Sequence, residues 1–279
     1  MSQYNPNMTI AILLSTYNGE RYLIEQLDSL FSQTYSEFKL YVHDDGSSDK
    51  TISIIKEYQK RYIDQIVIKH DNCRRGAGNS FMWLLDNVSA DYYMFCDQDD
   101  VWMPNKIEVS LNQIRQIEDE QGNHVPVGVF TDLTLVDEKL NIIHPSFWKF
   151  QNIKPRLTSQ FKYLVYGNGV TGCTLMINQA VKTIIQPLPD SIGLHDYWLA
   201  LLISRHGYLY YYPNPTIYYR QHRNNVAGAG IMNTGMRFSI KPFIRWYYNS
   251  KLWLKQFNHD NLIILIINKF IYTIKRYYS

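Results

Sequence analysis

Acidic residues gather at two points in the first hundred residues of this 279-residue chain. Asp97 and Asp99 follow the apolar run at residues 92–96, and Asp44 and Asp45 follow an earlier apolar run. Carboxylate oxygens in this arrangement suit Mg²⁺ or Mn²⁺ held between protein and a diphosphate. The same spacing also occurs in solvated loops that cap helices. Taken alone, it leaves both interpretations open.

A nucleotide site is a second chemical possibility at these points. The carboxylate of Asp44 can accept a hydrogen bond from the ring N–H of uracil or thymine, whereas Asp49 suits a helix cap. The polar run from Ser15 to Asn18 also follows an apolar run. Its backbone and hydroxyl groups could grip a nucleotide at a helix start, or form only a tight turn.

The elements that must position these residues alternate regularly. Apolar runs predict strands at residues 8–14, 38–43, 65–69 and 92–96, and helical periodicity predicts helices at 21–33, after Ser48 or Asp49, and at 80–88. This alternation predicts an α/β fold, with a mainly parallel, twisted sheet and helices on both faces. Ligands bind beyond the carboxyl ends of such strands, where the polar runs fall.

The second half of the chain continues with mixed signals. We predict helices at 104–120 and 194–206, the latter burying Trp198, and strands at 127–131 and 167–177. Residues 208–219 predict an aromatic strand pair broken at Pro213 and Pro215.

Composition excludes several classes of protein. A chain that is 46% hydrophobic and 15% aromatic can bury one substantial core, and a net charge of +3 does not suit a protein that coats nucleic acid. Three scattered cysteines predict neither a disulfide framework nor a zinc site. The polar start and the lack of any apolar run of about 18 residues indicate neither a signal peptide nor a membrane span. We therefore expect a cytoplasmic protein.

Three runs, in this order and spacing, together resemble the inverting glycosyltransferases of family 2. They are Leu14-Ser15-Thr16-Tyr17-Asn18, His43-Asp44-Asp45-Gly46-Ser47-Ser48-Asp49 and Cys96-Asp97-Gln98-Asp99-Asp100-Val101-Trp102. The resemblance implies the GT-A fold, a nucleotide-diphosphate sugar donor and Mn²⁺ or Mg²⁺ as cofactor. It implies that Asp99 binds the metal and that Asp97 contacts the ribose. The predicted donor-binding residues are Ser15, Thr16, Tyr17, Asn18, Glu20, Asp44, Asp45, Arg75, Asp97 and Gln98. Arg75 could reach the diphosphate by a charge-assisted bond, or belong only to a solvated basic turn.

Two later runs extend the resemblance to about residues 8–230. Leu194-His195-Asp196-Tyr197-Trp198 resembles the family's acceptor-side motif, although His195 stands where a Glu is more usual, and Tyr219-Arg220-Gln221-His222-Arg223-Asn224-Asn225-Val226 resembles its late motif. The resemblance implies Asp196 as catalytic base and His222 as a second metal ligand. It implies diphosphate or acceptor contacts from Arg220, Gln221, His195 and Trp198. Without it, Asp196 could be a helix cap and His222 a structural histidine.

The combined motifs look most like the rhamnosyltransferase branch that builds bacterial surface polysaccharides. This branch implies dTDP-rhamnose as donor and a glycan or lipid-linked glycan as acceptor. A UDP-glucose or UDP-galactose transferase of the same fold is the alternative, and an inactive nucleotide-sugar-binding module is the alternative of another class. A nucleotidyltransferase would need a glycine-rich basic loop after the first strand, and a dinucleotide-binding oxidoreductase a G-x-G-x-x-G run.

The charge distribution predicts a separate tail. From Arg237 onward there are eight basic residues and one acidic residue, Asp260. We predict a catalytic domain at 1–232, with a nucleotide half at 1–103 and an acceptor half at 104–232, followed by a basic, aromatic helical tail at 233–279. The tail could lie on the inner face of an anionic membrane, or pack on the catalytic domain or a second subunit.

Overall fold

A computed structural model describes residues 8–71, 73–189, 193–223 and 262–278. Within them, nine strands form one sheet in the order β3-β2-β1-β4-β8-β6-β9-β5, with β7 beside β6. The strands are β1 (Ile10–Thr16), β2 (Lys39–Asp44), β3 (Ile66–Lys69), β4 (Tyr92–Cys96), β5 (Val101–Trp102), β6 (Val127–Val136), β7 (Ile142–His144), β8 (Met176–Asn178) and β9 (Tyr208–Arg220).

Helices cover both faces of this sheet. The longer ones are α1 (Leu23–Phe31), α2 (Thr51–Arg61), α3 (Ala77–Asn87), α4 (Lys106–Gln121), α8 (His195–His206) and α9 (Leu262–Tyr278). Three short helices lie between β7 and β8: α5 (Phe147–Phe150), α6 (Pro155–Thr158) and α7 (Phe161–Leu164). Two 3₁₀ segments, Gly172–Thr174 and Gln179–Ile184, flank β8.

The first four strands in space form the parallel part of the sheet. Strand β1 pairs in parallel with β2 and β4, and β2 pairs in parallel with β3. Thr16 lies opposite Asp44, and Leu14 lies opposite Cys96, so the three polar loops leave the sheet at one rim. The predicted α/β sheet with helices on both faces is confirmed. Beyond β4 the sheet is mixed, because β8 runs antiparallel to both β4 and β6.

Strand β1 separates two hydrophobic cores. Leu14 packs in the core that holds Leu27 of α1, while Leu13 packs in the core that holds Leu84 of α3. Each of these leucines is fully buried. Burial of one such side chain contributes about 1.5–3 kcal/mol, so the two cores hold the rim rigidly from both sides.

Two predicted strands are corrected by the structure. In the predicted strand 167–177, only its last residues belong to β8, because the segment before it turns through Gly172–Thr174. The predicted strand pair at 208–219 is a single strand, β9, parallel to β6. Its register shifts beside Asp132, which pairs with Pro215. Proline lacks the N–H that a ladder needs, and here the ladder shifts instead of ending.

The predicted tail is only partly within the described residues. The boundary at residue 232, the end of the late motif at 224–226 and the tail up to residue 261 lie outside them. Helix α9 is described, and it packs against α7. Among the described helices, none combines the length and the apolar character that crossing a membrane requires.

Candidate functional site

The loops after β1 and β2 are fastened to each other. Asn18 adopts a left-handed backbone conformation, with φ of +47°. Its N–H donates to Oγ of Ser47 at 2.8 Å, and its Oδ1 accepts from the N–H of Ser48 at 2.9 Å. Oε2 of Glu20 accepts from the N–H of Lys50 at 2.9 Å. Asn18 and Glu20 therefore position the rim, and their nucleotide contacts stay predictions.

Asp44 is fixed at the end of β2 by its own loop. Its carboxylate accepts from Oγ1 of Thr16 at 2.8 Å and from the N–H of Ser47 at 2.8 Å. Charge-assisted bonds of this kind hold a carboxylate in one orientation. The half-buried group stands at the parallel strand ends, where an α/β sheet accepts a nucleotide, and its contact with a base stays a prediction.

Asp45 and Arg75 tie the loop before α3 to the rim. Asp45 is buried, and it accepts from the N–H of Arg75 at 2.5 Å and of Gly76 at 2.9 Å. The guanidinium of Arg75 forms an ion pair with Asp71 and lies over the ring of Trp83. Both side chains are thus engaged with protein groups, and their donor contacts stay predictions.

Gln98 clamps the loop after β1. Its Oε1 accepts from the N–H of Tyr17 at 2.9 Å, and its Nε2 donates to the carbonyl of Tyr17 at 3.0 Å. A Cβ atom on Gly19 would lie 2.2 Å from that Oε1, so a larger residue there would displace the Gln98 amide. The Tyr17 ring is 40% exposed beneath the Arg74 guanidinium, 4.3 Å from the ring centroid. Arg74 is thus a rim cation outside the predicted set.

Carboxylates concentrate at the end of β4. Burial, with added effects from the negative charges of Asp99 and Asp196, raises the pKa of Asp97 to about 7. The ligand atoms of Asp97, Asp100 and Cys173 lie within 4.8 Å of one another. Oδ2 of Asp100 is buried and has no hydrogen-bond partner. Buried carboxylates that outnumber the hydrogen-bond donors around them favour a cation nearby.

The residues predicted to bind metal do meet. Nε2 of His222 lies 2.8 Å from Oδ2 of Asp99, and the imidazole stacks on the ring of Tyr22 with centroids 4.9 Å apart. A carboxylate oxygen and an imidazole nitrogen facing each other form a donor set that fits a divalent cation such as Mn²⁺. Metal binding by this pair stays a prediction.

Arg220 holds the loop that carries Asp99. The side chain is buried, and its Nε donates to the carbonyl of Asp99 at 2.8 Å, while its backbone N–H donates to Oδ1 of Asp100 at 3.1 Å. It also forms an ion pair with Glu25. The N–H of Gln221 donates to the carbonyl of Val136 at 2.9 Å. Diphosphate contacts from Arg220 and Gln221 stay predictions.

Asp196 lies in the first turn of α8, at the wall of a cavity of about 230 Å³. Its carboxylate accepts from the N–H of Gly172 at 2.9 Å and of Tyr197 at 2.6 Å. Burial raises the pKa of Asp196 to about 6, against the opposing effect of these hydrogen bonds. A carboxylate with a pKa near working pH suits a general base.

His195 and Trp198 occupy the core instead of the cavity wall. The His195 ring packs against Phe81 and Phe95, with centroids 4.3 and 5.0 Å away, and burial lowers its pKa to about 3. Trp198 is fully buried, and its Nε1 donates to the carbonyl of Gln186 at 2.9 Å. The acceptor contact predicted for Trp198 is therefore corrected, since a side chain without exposed surface cannot touch a ligand. His195 is likewise absent from the lining of the Asp196 cavity.

The cavity wall includes residues outside the predicted set of site residues. Among them are Asn168, Tyr219, Tyr272 and Arg276. The last two belong to α9, which the charge pattern predicts as a separate tail. Helical periodicity signals a buried face but not the surface that this face covers.

Comparisons with known proteins bear on the family and on the fold. A family model described as "Glycosyl transferase family 2" matches residues 11–185. The chain is 32% identical over 230 residues to a dTDP-rhamnosyl transferase, RfbG, of Shigella flexneri, which covers 78% of this chain and 74% of the relative. An uncharacterized glycosyltransferase of Rickettsia typhi is 27% identical over 212 residues, which covers 76% of this chain and 63% of the relative.

Two solved structures share the fold. S. aureus TarS in complex with UDP-GlcNAc matches with a TM-score of 0.56 and 18% identity, covering 86% of this chain and 64% of that one. The mannosyltransferase PcManGT from Pyrobaculum calidifontis, in complex with GDP-Man and Mn²⁺, matches with a TM-score of 0.58 and 12% identity, covering 97% and 75%. The chain thus spans less than two thirds of the Rickettsia relative and of that TarS chain.

Proposed function

The chain belongs to glycosyl transferase family 2, and from that premise we propose that it transfers L-rhamnose from dTDP-rhamnose, with inversion, to a glycan or lipid-linked glycan acceptor in surface polysaccharide synthesis. The similarity to a dTDP-rhamnosyl transferase supports the choice of sugar. The observation that supports this chemistry is electrostatic: the negative charges of Asp99 and Asp196 both contribute to the raised pKa of Asp97. This supports the proposal that the predicted metal ligand and the predicted base belong to one site.

Asp196 is the proposed general base. It accepts the proton of an acceptor hydroxyl as that oxygen forms a bond to the anomeric carbon. The bond from this carbon to the diphosphate oxygen breaks, and its electron pair leaves with the nucleotide diphosphate. Attack opposite the leaving group inverts the anomeric configuration. The N–H groups of Gly172 and Tyr197 hold the carboxylate in place for the proton transfer.

Asp99 and His222 are the residues that would hold Mn²⁺ or Mg²⁺. When bound, the cation supplies positive charge that stabilises the departing diphosphate. The imidazole favours Mn²⁺ over Mg²⁺, which prefers oxygen ligands alone. Tyr22 orients the His222 ring by stacking, and Arg220 fixes the Asp99 loop.

Asp44 is the proposed contact for the base of the donor. Its carboxylate suits the imide N–H of thymine and of uracil equally, so a UDP-hexose transferase is the second candidate. Thermal stabilisation by dTDP-rhamnose, UDP-glucose and UDP-galactose in the presence of Mn²⁺ discriminates between them, because a ligand stabilises in proportion to its occupancy of the folded state. We expect the largest shift with dTDP-rhamnose. A larger shift with a UDP-hexose would favour the second candidate, and no shift with any donor would reject both.

Transfer must also be separated from binding alone. The donor that stabilises the protein is incubated with enzyme and Mn²⁺, and release of nucleotide diphosphate is followed with and without a glycoside acceptor. Release that increases with acceptor supports a transferase. Stabilisation without any release would instead indicate an inactive nucleotide-sugar-binding module.

A membrane contact is proposed for the outer face of α9. Ile267, Phe270, Ile271 and Ile274 are exposed there, at helical spacing that forms one apolar stripe. The chain from Arg237 onward carries a charge of +7. An apolar stripe in a basic segment suits an anionic lipid surface, which is where a lipid-linked acceptor would reside.

Co-sedimentation with vesicles tests this contact. We expect binding to vesicles of phosphatidylcholine and phosphatidylglycerol, weaker binding to phosphatidylcholine alone, and a clear loss in Phe270→Ser/Ile274→Ser. Ile63→Ser, at another exposed apolar position, serves as the matched control. Equal sedimentation of the double variant and the control would reject the proposal, and stripe-dependent dimerisation without vesicle binding would assign the stripe to a second copy of the chain.

A further inference from the structure

Helix α9 is anchored to the acceptor half by specific polar contacts. Nζ of Lys275 donates to Oη of Tyr163 at 2.7 Å. The guanidinium of Arg276 donates through Nε to the carbonyl of Asn152 at 3.0 Å, and through Nη2 to that of Gln151 at 2.7 Å. Backbone carbonyls satisfied by one arginine fix the register of the helix as well as its position.

The inner face of α9 is aromatic. Tyr272 is only 6% exposed, and its ring lies 6.2 Å from that of Tyr163 and 6.0 Å from that of Tyr166, centroid to centroid. Aromatic pairs at such distances attract each other beyond the effect of burial. The helix therefore packs through this face, while its apolar stripe faces outward.

This inner face closes the cavity beside Asp196. Tyr272 and Arg276 line the cavity together with Asn168 and Tyr219. Nδ2 of Asn168 lies 3.4 Å from Oδ1 of Asp196, so the polar part of the wall is next to the proposed base. The cavity would lose one side without α9.

We propose that α9 forms one wall of the acceptor site and that Tyr272 contacts the acceptor sugar. This inference rests on the proposed function and adds a residue to it. Tyrosine rings offer apolar surface to the C–H face of a pyranose, while Asn168 and Asp196 offer polar groups to its hydroxyls. The cavity of about 230 Å³ is below the ~300 Å³ at which sites for drug-sized ligands begin, so it takes one sugar ring. Arg276 acts as a positioning residue for this wall.

The experiment measures sugar binding and nucleotide binding separately. Saturation-transfer NMR is run with methyl glycosides of rhamnose, glucose and N-acetylglucosamine on full-length protein loaded with dTDP and Mn²⁺, and dTDP affinity is titrated on the same samples. We expect at least one glycoside to bind the wild-type chain, and its affinity to fall by about tenfold or more in Tyr272→Ala, since a lost contact of this size costs about 1.4 kcal/mol. Tyr272→Phe keeps the ring and should stay within about threefold.

Thr273→Ala, at an exposed position on the same helix, is the matched control and should leave glycoside affinity unchanged. dTDP affinity should stay within about twofold in all three variants. The inference is overturned if no glycoside binds the wild-type chain, if Tyr272→Ala binds as well as the control, or if sugar and dTDP affinities fall together. Failure of the wild-type chain to bind dTDP or any nucleotide sugar would reject the proposed function itself.

Discussion

Nε2 of His222 lies 2.8 Å from Oδ2 of Asp99, although 123 positions separate the two residues in the chain. The sheet brings them together, because β9 runs antiparallel to β5 with Tyr218 opposite Val101. The end of β9 thereby returns to the loop that follows β4. The backbone N–H of Arg220 closes this return by donating to Asp100.

Removal of either member of this pair should weaken the affinity of the enzyme for Mn²⁺. We expect Asp99→Asn and His222→Gln each to raise the Mn²⁺ concentration for half-maximal transfer by at least about tenfold, since loss of groups that support a metal commonly costs 10–100-fold in affinity. His206→Gln, at the exposed end of α8, is the matched control. Full activity of the wild-type enzyme after exhaustive chelation would refute a metal role for the pair.

Asp196→Asn should separate catalysis from donor binding. Loss of a general base lowers the rate by about 10²- to 10⁴-fold, while the predicted donor contacts at the ends of β1 and β2 remain. Steady-state kinetics and donor titration measure the two quantities. Asp119→Asn, exposed on α4, should match the wild type. If Asp196→Asn instead lost donor affinity and kept its turnover, the assignment of the base would be wrong.

The pH dependence of kcat/KM should reflect the titration of Asp196. Its pKa of about 6 predicts that kcat/KM falls about tenfold per pH unit below pH 6, because the protonated carboxyl cannot accept a proton. The free energy of unfolding changes with pH in the opposite direction. A carboxyl whose folded-state pKa exceeds its ordinary value of 3.8 destabilises the fold as pH rises from about 4 to 6. Asp196→Asn should remove that component of the pH dependence, and a kcat/KM that stays flat from pH 5 to 7 would contradict the assignment.

Gly19→Ala should act through Gln98. The added methyl would lie 2.2 Å from Oε1 of Gln98 and would displace the amide that clamps Tyr17. We expect donor affinity to fall by about fivefold to tenfold, close to the loss of one or two neutral hydrogen bonds. The double variant with Gln98→Ala should be no weaker than Gln98→Ala alone, because both changes remove the same clamp. Additive losses would show that Gly19 acts by another route.

The sequence predicts well which residues lie at the carboxyl ends of the parallel strands, for a physical reason. Buried parallel strands are short, uniformly apolar runs, and the residue after each run must lie at the carboxyl edge of the sheet. This reasoning places Asp44 and Asp97 at one rim, and the register of β1 with β2 and β4 confirms the placement. His222 could be paired with Asp99 only through a family resemblance, since no local pattern encodes a contact across 123 positions.

Other parts of the site depend on tertiary packing that local patterns do not record. Asp45 and Arg75 are charged residues of the kind that bind ligands, yet Asp45 accepts from the N–H of Gly76 and Arg75 pairs with Asp71 of its own loop. Trp198 belongs to the core because α8 is buried on nearly all sides. The role of Tyr272 follows from where α9 docks, which its amphipathic pattern leaves open.

Anomalous diffraction from crystals grown with Mn²⁺ and dTDP tests the central claim most directly, since it locates the metal and the nucleotide together. We expect one manganese peak within about 2.3 Å of Oδ2 of Asp99 and Nε2 of His222, with the diphosphate bound to it and Asp196 facing the open side. A nucleotide bound away from the ends of β1, β2 and β4, or a manganese ion bound without Asp99 and His222, would contradict it.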